Sequence, residues 1–545
     1  MSEFDVIIVG AGAGGGMAAW VLATRGFRVA LIEKGRNPYP TLTDEVLRGS
    51  HFGDDELKRA RAFAFHDFFA EPRSFRASSS DPAKSLPVQG LGVAVGGGTI
   101  QYDGNSPRLS RADFSSLSTF GAVAGADVVD WPISYQDLEL YYDATELVIG
   151  VQGLAGSDPF AEPRGPYPMP PGAPSKAGSM LAEAAKRLGY HPHPMPIAIN
   201  SMPYRGRPAC TNAGYCPFGC PVNAKSSTAV TVIREALLTG NLSLFTESCV
   251  TRVLTEPSGA RATGVELIDP KGARATMSAD HVVLALNAIE TPRLLLDTRG
   301  PAHPDGLGNS SGLVGRYMMF HTIVGAVGIF DEEIRSYRGR VATHGFSDFT
   351  VSDGSEGFIR GGYVELGGQI RPVEAGSQFP WLLHKELITN GPYIRRIATA
   401  AIMGEDVPQL ENRVELDPSL RDIYGRSAPR ITYRRHEHDQ AMIDRYLPKL
   451  EAVAREAGAS DVIVDDGLKR DGYPTTRHLL GTTRMGTDAS KSVTDPWGRL
   501  HDVENVWICD GGTWPTSASF NPTLTQQALA YRTAAYLADP GDPHP

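Results

Sequence analysis

Asp5-Val-Ile-Ile-Val-Gly10-Ala-Gly12-Ala-Gly-Gly15, continued by Met17-Ala-Ala-Trp-Val-Leu-Ala-Thr24 and by Arg28-Val-Ala-Leu-Ile-Glu33, is the stretch that decides the fold. The first piece is a short β-branched run closed by a glycine turn. The second has helical spacing, and the third reads as a buried strand. Strand, turn, helix and strand in that order make a βαβ unit. Gly10 makes the tight turn, Gly12 lets the backbone approach a pyrophosphate, and Gly15 allows close packing of helix on strand, so the helix N-terminus faces the phosphate charge. Glu33, eighteen residues after Gly15, is placed to accept hydrogen bonds from a ribose hydroxyl and disfavours a 2′-phosphate. NAD and FAD remain, and the position of the unit in the chain leans towards FAD.

A chain of 545 residues is too long for one ordinary core and predicts at least two lobes. With 41% apolar and 21% charged residues it reads as soluble and globular. A formal net charge of -10 and a pI near 5.8 leave no basic surplus to neutralise phosphates, which argues against nucleic acid as a partner. The run Lys58 to Arg61 reads as a solvated helix face. Val6 to Ala23 is uncharged and long enough to suggest a membrane span. However, Glu3 and Asp5 stand in front of it, no basic region precedes it, and Gly10 to Gly16 reads as a turn. The expectation is a cytoplasmic protein without a membrane span.

Three of the five cysteines, Cys210, Cys216 and Cys220, fall within eleven residues. In a reducing compartment clustered thiols suggest metal or redox roles before disulfides. The same residue also serves as a small buried hydrophobe, and both readings stay open at this point. Cys249 and Cys509 lie in strand-like runs and read as packing residues.

Further segments carry a specific resemblance. Val95-Gly-Gly-Gly-Thr99 with Asn105 downstream and Asp130 to Tyr142 resemble the early flavin-contacting loop and following helix of the glucose-methanol-choline (GMC) oxidoreductases. Val282 to Leu296, Gly308 to Arg316, Arg477 to Gly486, Val506 to Gly511 and Ser519 to Thr525 continue the likeness in family order. Within that family the chain resembles most the bacterial FAD-dependent sugar dehydrogenases and the pyranose oxidases. The resemblance implies a hydroxyl of a sugar, glycoside or polyol oxidised to a carbonyl, with hydride passing to flavin N5. It implies that Gly10, Gly12, Gly15 and Glu33 hold the ADP half of FAD, that Gly97 and Thr99 belong to the flavin loop, and that Val250 lines the adenine. Asp510 and Gly511 match the second pyrophosphate contact, and Pro522 with Thr523 match residues lying against the flavin. His478 and Asn521 match the paired catalytic residues.

That assignment suits the chemistry. A neutral imidazole accepts a proton near neutral pH, so His478 is the candidate general base. The amide of Asn521 has both donor and acceptor atoms and can fix the substrate oxygen. Some sugar-oxidising relatives attach FAD through a histidine where this chain has Gln101, and an amide cannot form that link, so FAD is expected to be dissociable. The spacing of Cys210, Cys216 and Cys220 resembles the segment that holds a [3Fe-4S] cluster in bacterial glucose dehydrogenases. Cluster-free relatives carry a similar loop ending in Ala-Lys-Ser-Ser, as Ala224 to Ser227 does. Oxygen, a quinone or a redox protein could serve as electron acceptor, and the sequence leaves the oligomeric state open. Steroid or long-chain alcohols, or an FAD-containing lyase, are the alternative functions.

The expected architecture is α/β. A discontinuous FAD-binding Rossmann-like domain takes 1–150, 205–325 and 475–545. A substrate domain built on an antiparallel sheet takes 151–204 and 326–474, with strands over Gly361 to Ile370 and Ala428 to Tyr433. Gly308-Asn-Ser310-Ser-Gly312 fits G-x-S-x-G, but a loop precedes it where a nucleophile elbow needs a strand. His436-Glu-His438, alternating at a charged helix start, is expected to face solvent.

Overall fold

The computed structural model of the chain describes residues 2–38, 65–350, 358–368, 392–469 and 471–545. The basic run at Lys58 to Arg61 lies outside them, as do the last two residues of the strand expected over Gly361 to Ile370. The opening βαβ unit forms as read, with strands Phe4–Val9 and Val29–Ile32 in parallel register around helix Ala13–Thr24. Leu242–Phe245 extends the sheet beyond Val29–Ile32, and the ends of Arg274–Leu284 and Val506–Ile508 extend it on the other side, all parallel. Such strands are covered on both faces and therefore read as continuous apolar runs. The first half of Arg274–Leu284 leaves this sheet to pair antiparallel with Ala262–Ile268, which pairs with Cys249–Thr255.

A second sheet is wholly antiparallel, in the order Asp461–Asp465, Thr322–Ile329, Ile397–Gly404, Gly362–Gly367, Ala342–Phe346 and His193–Pro194. Side chains alternate across it. Val324, Val364, Leu366 and Ala400 pack under helices Lys176–Arg187 and Glu437–Glu456. Their neighbours Ile323, Glu365, Ala401 and Met403 face a large cavity. This alternation puts a carboxylate, Glu365, on the cavity side of an otherwise apolar strand.

The strand expected over Ala428 to Tyr433 exists as Ser427–Thr432 but belongs elsewhere. It pairs with Arg413–Arg421 and with Ser74–Arg76 in a separate four-stranded sheet. Strand propensity gives an element's existence and not its partner. His438 also departs from expectation. His436 caps the helix, whereas His438 is buried, accepts a hydrogen bond from the Ile359 amide and contacts Asp439 at 2.9 Å. Ser310 lies in an exposed turn, hydrogen-bonded to Asp502 with no helix behind it, so no nucleophile elbow is built there.

Candidate active site

The cavity has a volume of about 730 Å³, within the range of ligand pockets. Its wall begins at the glycine turn. Gly10 has φ +99°, a conformation that glycine adopts without strain, and a Cβ there would meet the Ala285 carbonyl oxygen at 2.5 Å. Gly15 lies against the Gly10 carbonyl, as its packing role requires. Gly14 is tighter still, because a Cβ would fall 1.7 Å from the Cys509 carbonyl oxygen. The motif reading missed this contact because it counts only the outer three glycines. A Cβ on Gly12 would meet nothing within 4 Å and would project into open space. Helix Ala13–Thr24 starts there without a side-chain cap, so its first amides are left for an anion.

Glu33 lines the same wall, its carboxylate accepting from the amides of Ala11 (3.0 Å) and Gly35 (2.8 Å). Burial pushes its pKa up and the two amides oppose that shift. A carboxylate has about four acceptor sites, so both oxygens can still take ribose hydroxyls. Gly97, Thr99, Gln101 and Val250 also line the cavity. So do Gly511, Pro522 and Thr523, the last two at the uncapped N-terminus of helix Thr523–Ala538. Asp510 does not reach the cavity wall. Its buried carboxylate accepts from the Asn287 and Gly512 amides (3.0 and 2.8 Å) and from Thr291 Oγ1 (2.5 Å). Asn287 adopts φ +90°. Asparagine tolerates that region, and Asn287 Oδ1 then accepts from the amides of Ile289 and Glu290 that open the next helix. Sequence reading also missed a buried charge network along this wall. Lys34 pairs with Glu71 at 2.7 Å, Arg73 and Arg293 both pair with Glu290, and Arg293 reaches Asp422. Burial pushes Glu290 up, but Lys34, Arg293 and Arg73 outweigh it and hold the carboxylate well below its usual range.

His478 and Asn521 meet on the wall of the same cavity. His478 Nδ1 lies 2.9 Å from His321 Nδ1. Burial, reinforced by His321, pushes His478 well below the ordinary histidine pKa, so its ring is neutral and able to accept a proton. Asn521 Nδ2 donates to Glu365 Oε1 at 3.0 Å, and its Oδ1 is buried without a partner. Burial raises the pKa of Glu365, opposed by Asn521 and Asn105. The approach to Asn521 is held from behind. Asp113 accepts from the Ser519 amide and hydroxyl, Glu405 accepts from Ser517 Oγ and the Ala518 amide, and the fully buried Arg360 pairs with both carboxylates at 2.8 and 2.6 Å. Neither His321 nor Glu365 belongs to a motif. A lone acid between Val364 and Leu366 was the only signal available for Glu365.

The structure does not bring the three clustered cysteines together as a metal site. Among the described residues no group of three or more His, Cys, Asp or Glu side chains is placed to hold a metal ion. Instead the thiols pack against the main apolar core. Burial pushes Cys216 up to about 12, in keeping with a thiol packed against apolar neighbours. This geometry supports the packing reading and leaves the cluster unsupported. Cys249 and Cys509 are buried as expected.

The fold and site thus join a dinucleotide-type parallel sheet to an antiparallel sheet, with His478 and Asn521 on the wall of the cavity they share. Comparison with known proteins agrees. Residues 8–69 match an NAD(P)-binding Rossmann-like domain, and 89–323 and 408–530 match the two GMC oxidoreductase models. The chain is 31% identical to 2-methyl-1,2-propanediol dehydrogenase of Mycolicibacterium austroafricanum, over 98% of this chain and 95% of that one. It is 32% identical to paromamine 6'-oxidase of Streptomyces fradiae, over 98% and 91%. It is 28% identical to the fructose dehydrogenase large subunit of Gluconobacter japonicus, over 97% of each. The fold is shared with pyridoxine 4-oxidase from Mesorbium loti (TM-score 0.61, 18% identity, 98% of each chain). It is also shared with formate oxidase of Aspergillus oryzae RIB40 (TM-score 0.66, 14% identity, 98% of each chain). The chain belongs to the GMC oxidoreductase family and is an FAD-dependent oxidoreductase acting on CH-OH donors. No helix among the described residues is long and apolar enough to cross a membrane.

Proposed function

We propose that this enzyme oxidises a hydroxyl of a sugar, glycoside or polyol to a carbonyl, with His478 as general base and Asn521 fixing the reacting oxygen. The observation that carries the reading is the convergence of neutral His478, half-free Asn521 and Glu365 on the cavity that the glycine turn opens. FAD, when bound, supplies the two-electron acceptor for the hydride. The residues that would hold it are Gly10, Gly12, Glu33, Gly97, Thr99, Val250, Gly511, Pro522 and Thr523, with Gly15 and Asp510 bracing the turns behind them. Because Gln101 cannot form a covalent link, the cofactor is dissociable. We assign 1–150, 205–325 and 475–545 to the cofactor lobe, and 151–204 and 326–474 to the substrate lobe.

The polar groups suit a polyhydroxylated substrate. One Nδ2 hydrogen of Asn521 goes to Glu365, leaving the other for the reacting oxygen. The Glu365 carboxylate remains to accept neighbouring hydroxyls. Removal of the hydroxyl proton by His478 raises the hydride-donor strength of the same carbon, a contribution of roughly 10²–10⁴-fold for general base catalysis. Relatives named for 2-methyl-1,2-propanediol, paromamine and fructose lend support to this substrate class.

The test is anaerobic flavin absorbance with a panel of sugars, glycosides and polyols. Bleaching by members of the panel is expected, and flavin that none of them bleaches would overturn the substrate class. His478→Ala is expected to retain FAD and lose most flavin reduction. Undiminished reduction would remove His478 from the mechanism. Denaturation is expected to release all the flavin into the supernatant.

A further inference from the structure

His321 is 1% exposed and stands just before strand Thr322–Ile329, its ring fixed between the substrate sheet and the Ser517 to Asn521 segment. The His321 and His478 rings meet edge to face at 4.9 Å between centroids, with the two Nδ1 atoms 2.9 Å apart. A hydrogen bond of that length holds one N–H and one lone pair. The side on which the proton sits decides what His478 offers the cavity. With the proton on His321, His478 carries its own proton on Nε2 and cannot accept one from an alcohol. With the proton on His478 Nδ1, Nε2 is a lone pair.

The reading of His478 as base discriminates between these arrangements, because a neutral ring that accepts a proton at the cavity must hold its own proton on Nδ1. His321 Nε2 is buried without a well-formed hydrogen bond. The Ala518 and Ser519 amides are turned away to Glu405 and Asp113, and the Ser517 hydroxyl also goes to Glu405. The main chain of Ser517 and Ala518 lies beside the His321 ring and opposes part of the effect of its burial. On the base reading His478 Nδ1 is the donor, and His321 Nδ1 must be the lone pair.

We propose that His321 is a positioning residue that keeps its proton on Nε2 and accepts the Nδ1–H of His478, so that His478 Nε2 faces the cavity as the lone pair that takes the substrate proton. This rests on the reading of His478 as base. In the step, the substrate O–H bond breaks, its proton bonds to Nε2, and its electron pair forms the carbonyl as hydride leaves the carbon for FAD. The resulting imidazolium still donates Nδ1–H to His321. Burial keeps the pair uncharged beforehand, with His321 pushed down to about 4.

The decisive measurement is nitrogen NMR of the FAD-loaded enzyme labelled with ¹⁵N-histidine, with the two rings assigned by His478→Gln and His321→Gln. The expected result is protonated nitrogens at His478 Nδ1 and His321 Nε2 and an unprotonated His478 Nε2. A proton on His478 Nε2 would overturn the proposal. In kinetics, His321→Ala is expected to retain FAD, to lower kcat on the order of 10²-fold and to leave KM nearly unchanged. His321→Asn, whose Oδ1 can accept from Nδ1–H, is expected to recover part of the loss. Full activity in His321→Ala with His478→Ala inactive would remove the role of His321 alone. Full activity in His478→Ala would instead sink the base reading on which it rests.

Discussion

Replacing Arg360 with methionine tests how the catalytic loop is held. Arg360 is fully buried, with Asp113 at 2.8 Å and Glu405 at 2.6 Å, both also buried. Methionine fills much of the volume but leaves two carboxylates in the interior without a counter-charge. Breaking a buried pair in this way costs about 3–5 kcal/mol, because the partner charge is stranded. At about 2–4 °C per kcal/mol for a large domain, the melting temperature should fall on the order of 10 °C at one fixed scan rate. Activity should suffer beyond stability. Asp113 and Glu405 hold Ser517, Ala518 and Ser519, so the amide of Asn521 two residues on loses its register. A misplacement of about 1 Å at a reacting group costs on the order of 10²-fold. The assay is calorimetry with steady-state kinetics on Arg360→Met, Glu405→Gln and the double variant. Neutralising Glu405 should restore part of the loss, as coupled neighbours do. Strictly additive losses, or an Arg360→Met protein that melts with the wild type, would refute the bridging role.

Gly14→Ala and Gly12→Ala should fail in different ways. The first drives a Cβ to 1.7 Å from the Cys509 carbonyl oxygen and should abolish folded protein, while the second meets nothing within 4 Å and should fold normally but lose FAD on gel filtration. Equal melting temperatures for the two apoproteins would contradict the packing argument. The depressed pKa of His478 sets the sign of the pH dependence. A base held below its ordinary pKa stays unprotonated to lower pH, so the acid limb of kcat/KM should lie below pH 6.5, and a limb at or above that value would be inconsistent with a buried, neutral ring. For the cysteines, metal analysis should find no stoichiometric iron, and Cys210→Ala/Cys216→Ala/Cys220→Ala should still reduce its flavin. A broad visible shoulder lost in that variant would restore the cluster.

How much of this was legible in sequence depended on whether each feature is local. The βαβ unit is local, since one glycine turn and its flanking apolar runs fix strand, helix and strand within thirty residues, and the structure follows the reading closely. The antiparallel sheet was foreseen as a kind of element but not as a pairing. Ser427–Thr432 looks like any strand, yet its partner Ser74–Arg76 lies some 350 residues earlier, and no periodicity encodes that distance. His438 misled for a related reason. Its charged neighbours suggested solvent, whereas the tertiary fold gives it the Ile359 amide and removes it from water.

The site divides along the same line. His478 and Asn521 sit in motif-rich segments and could be named from their neighbours in the chain. The residues that determine what those two can do could not, because their roles exist only across the fold. Glu365 faces Asn521 only because its strand lies beside Ile397–Gly404 in a particular register, one residue out of phase with the helix-covered face. A slip of one residue would bury that carboxylate under the helices and leave the amide unheld. His321 is similar. Its distance of 157 residues from His478 carries no chemical meaning, but the 2.9 Å between their nitrogens forces the two rings to share one proton. The loop beside His321 has its own amides drawn off by Asp113 and Glu405, and those carboxylates are in turn held by Arg360. The seating of the histidine pair is therefore linked to a buried arginine outside the cavity lining, a dependence that follows from three-dimensional contacts and from no motif.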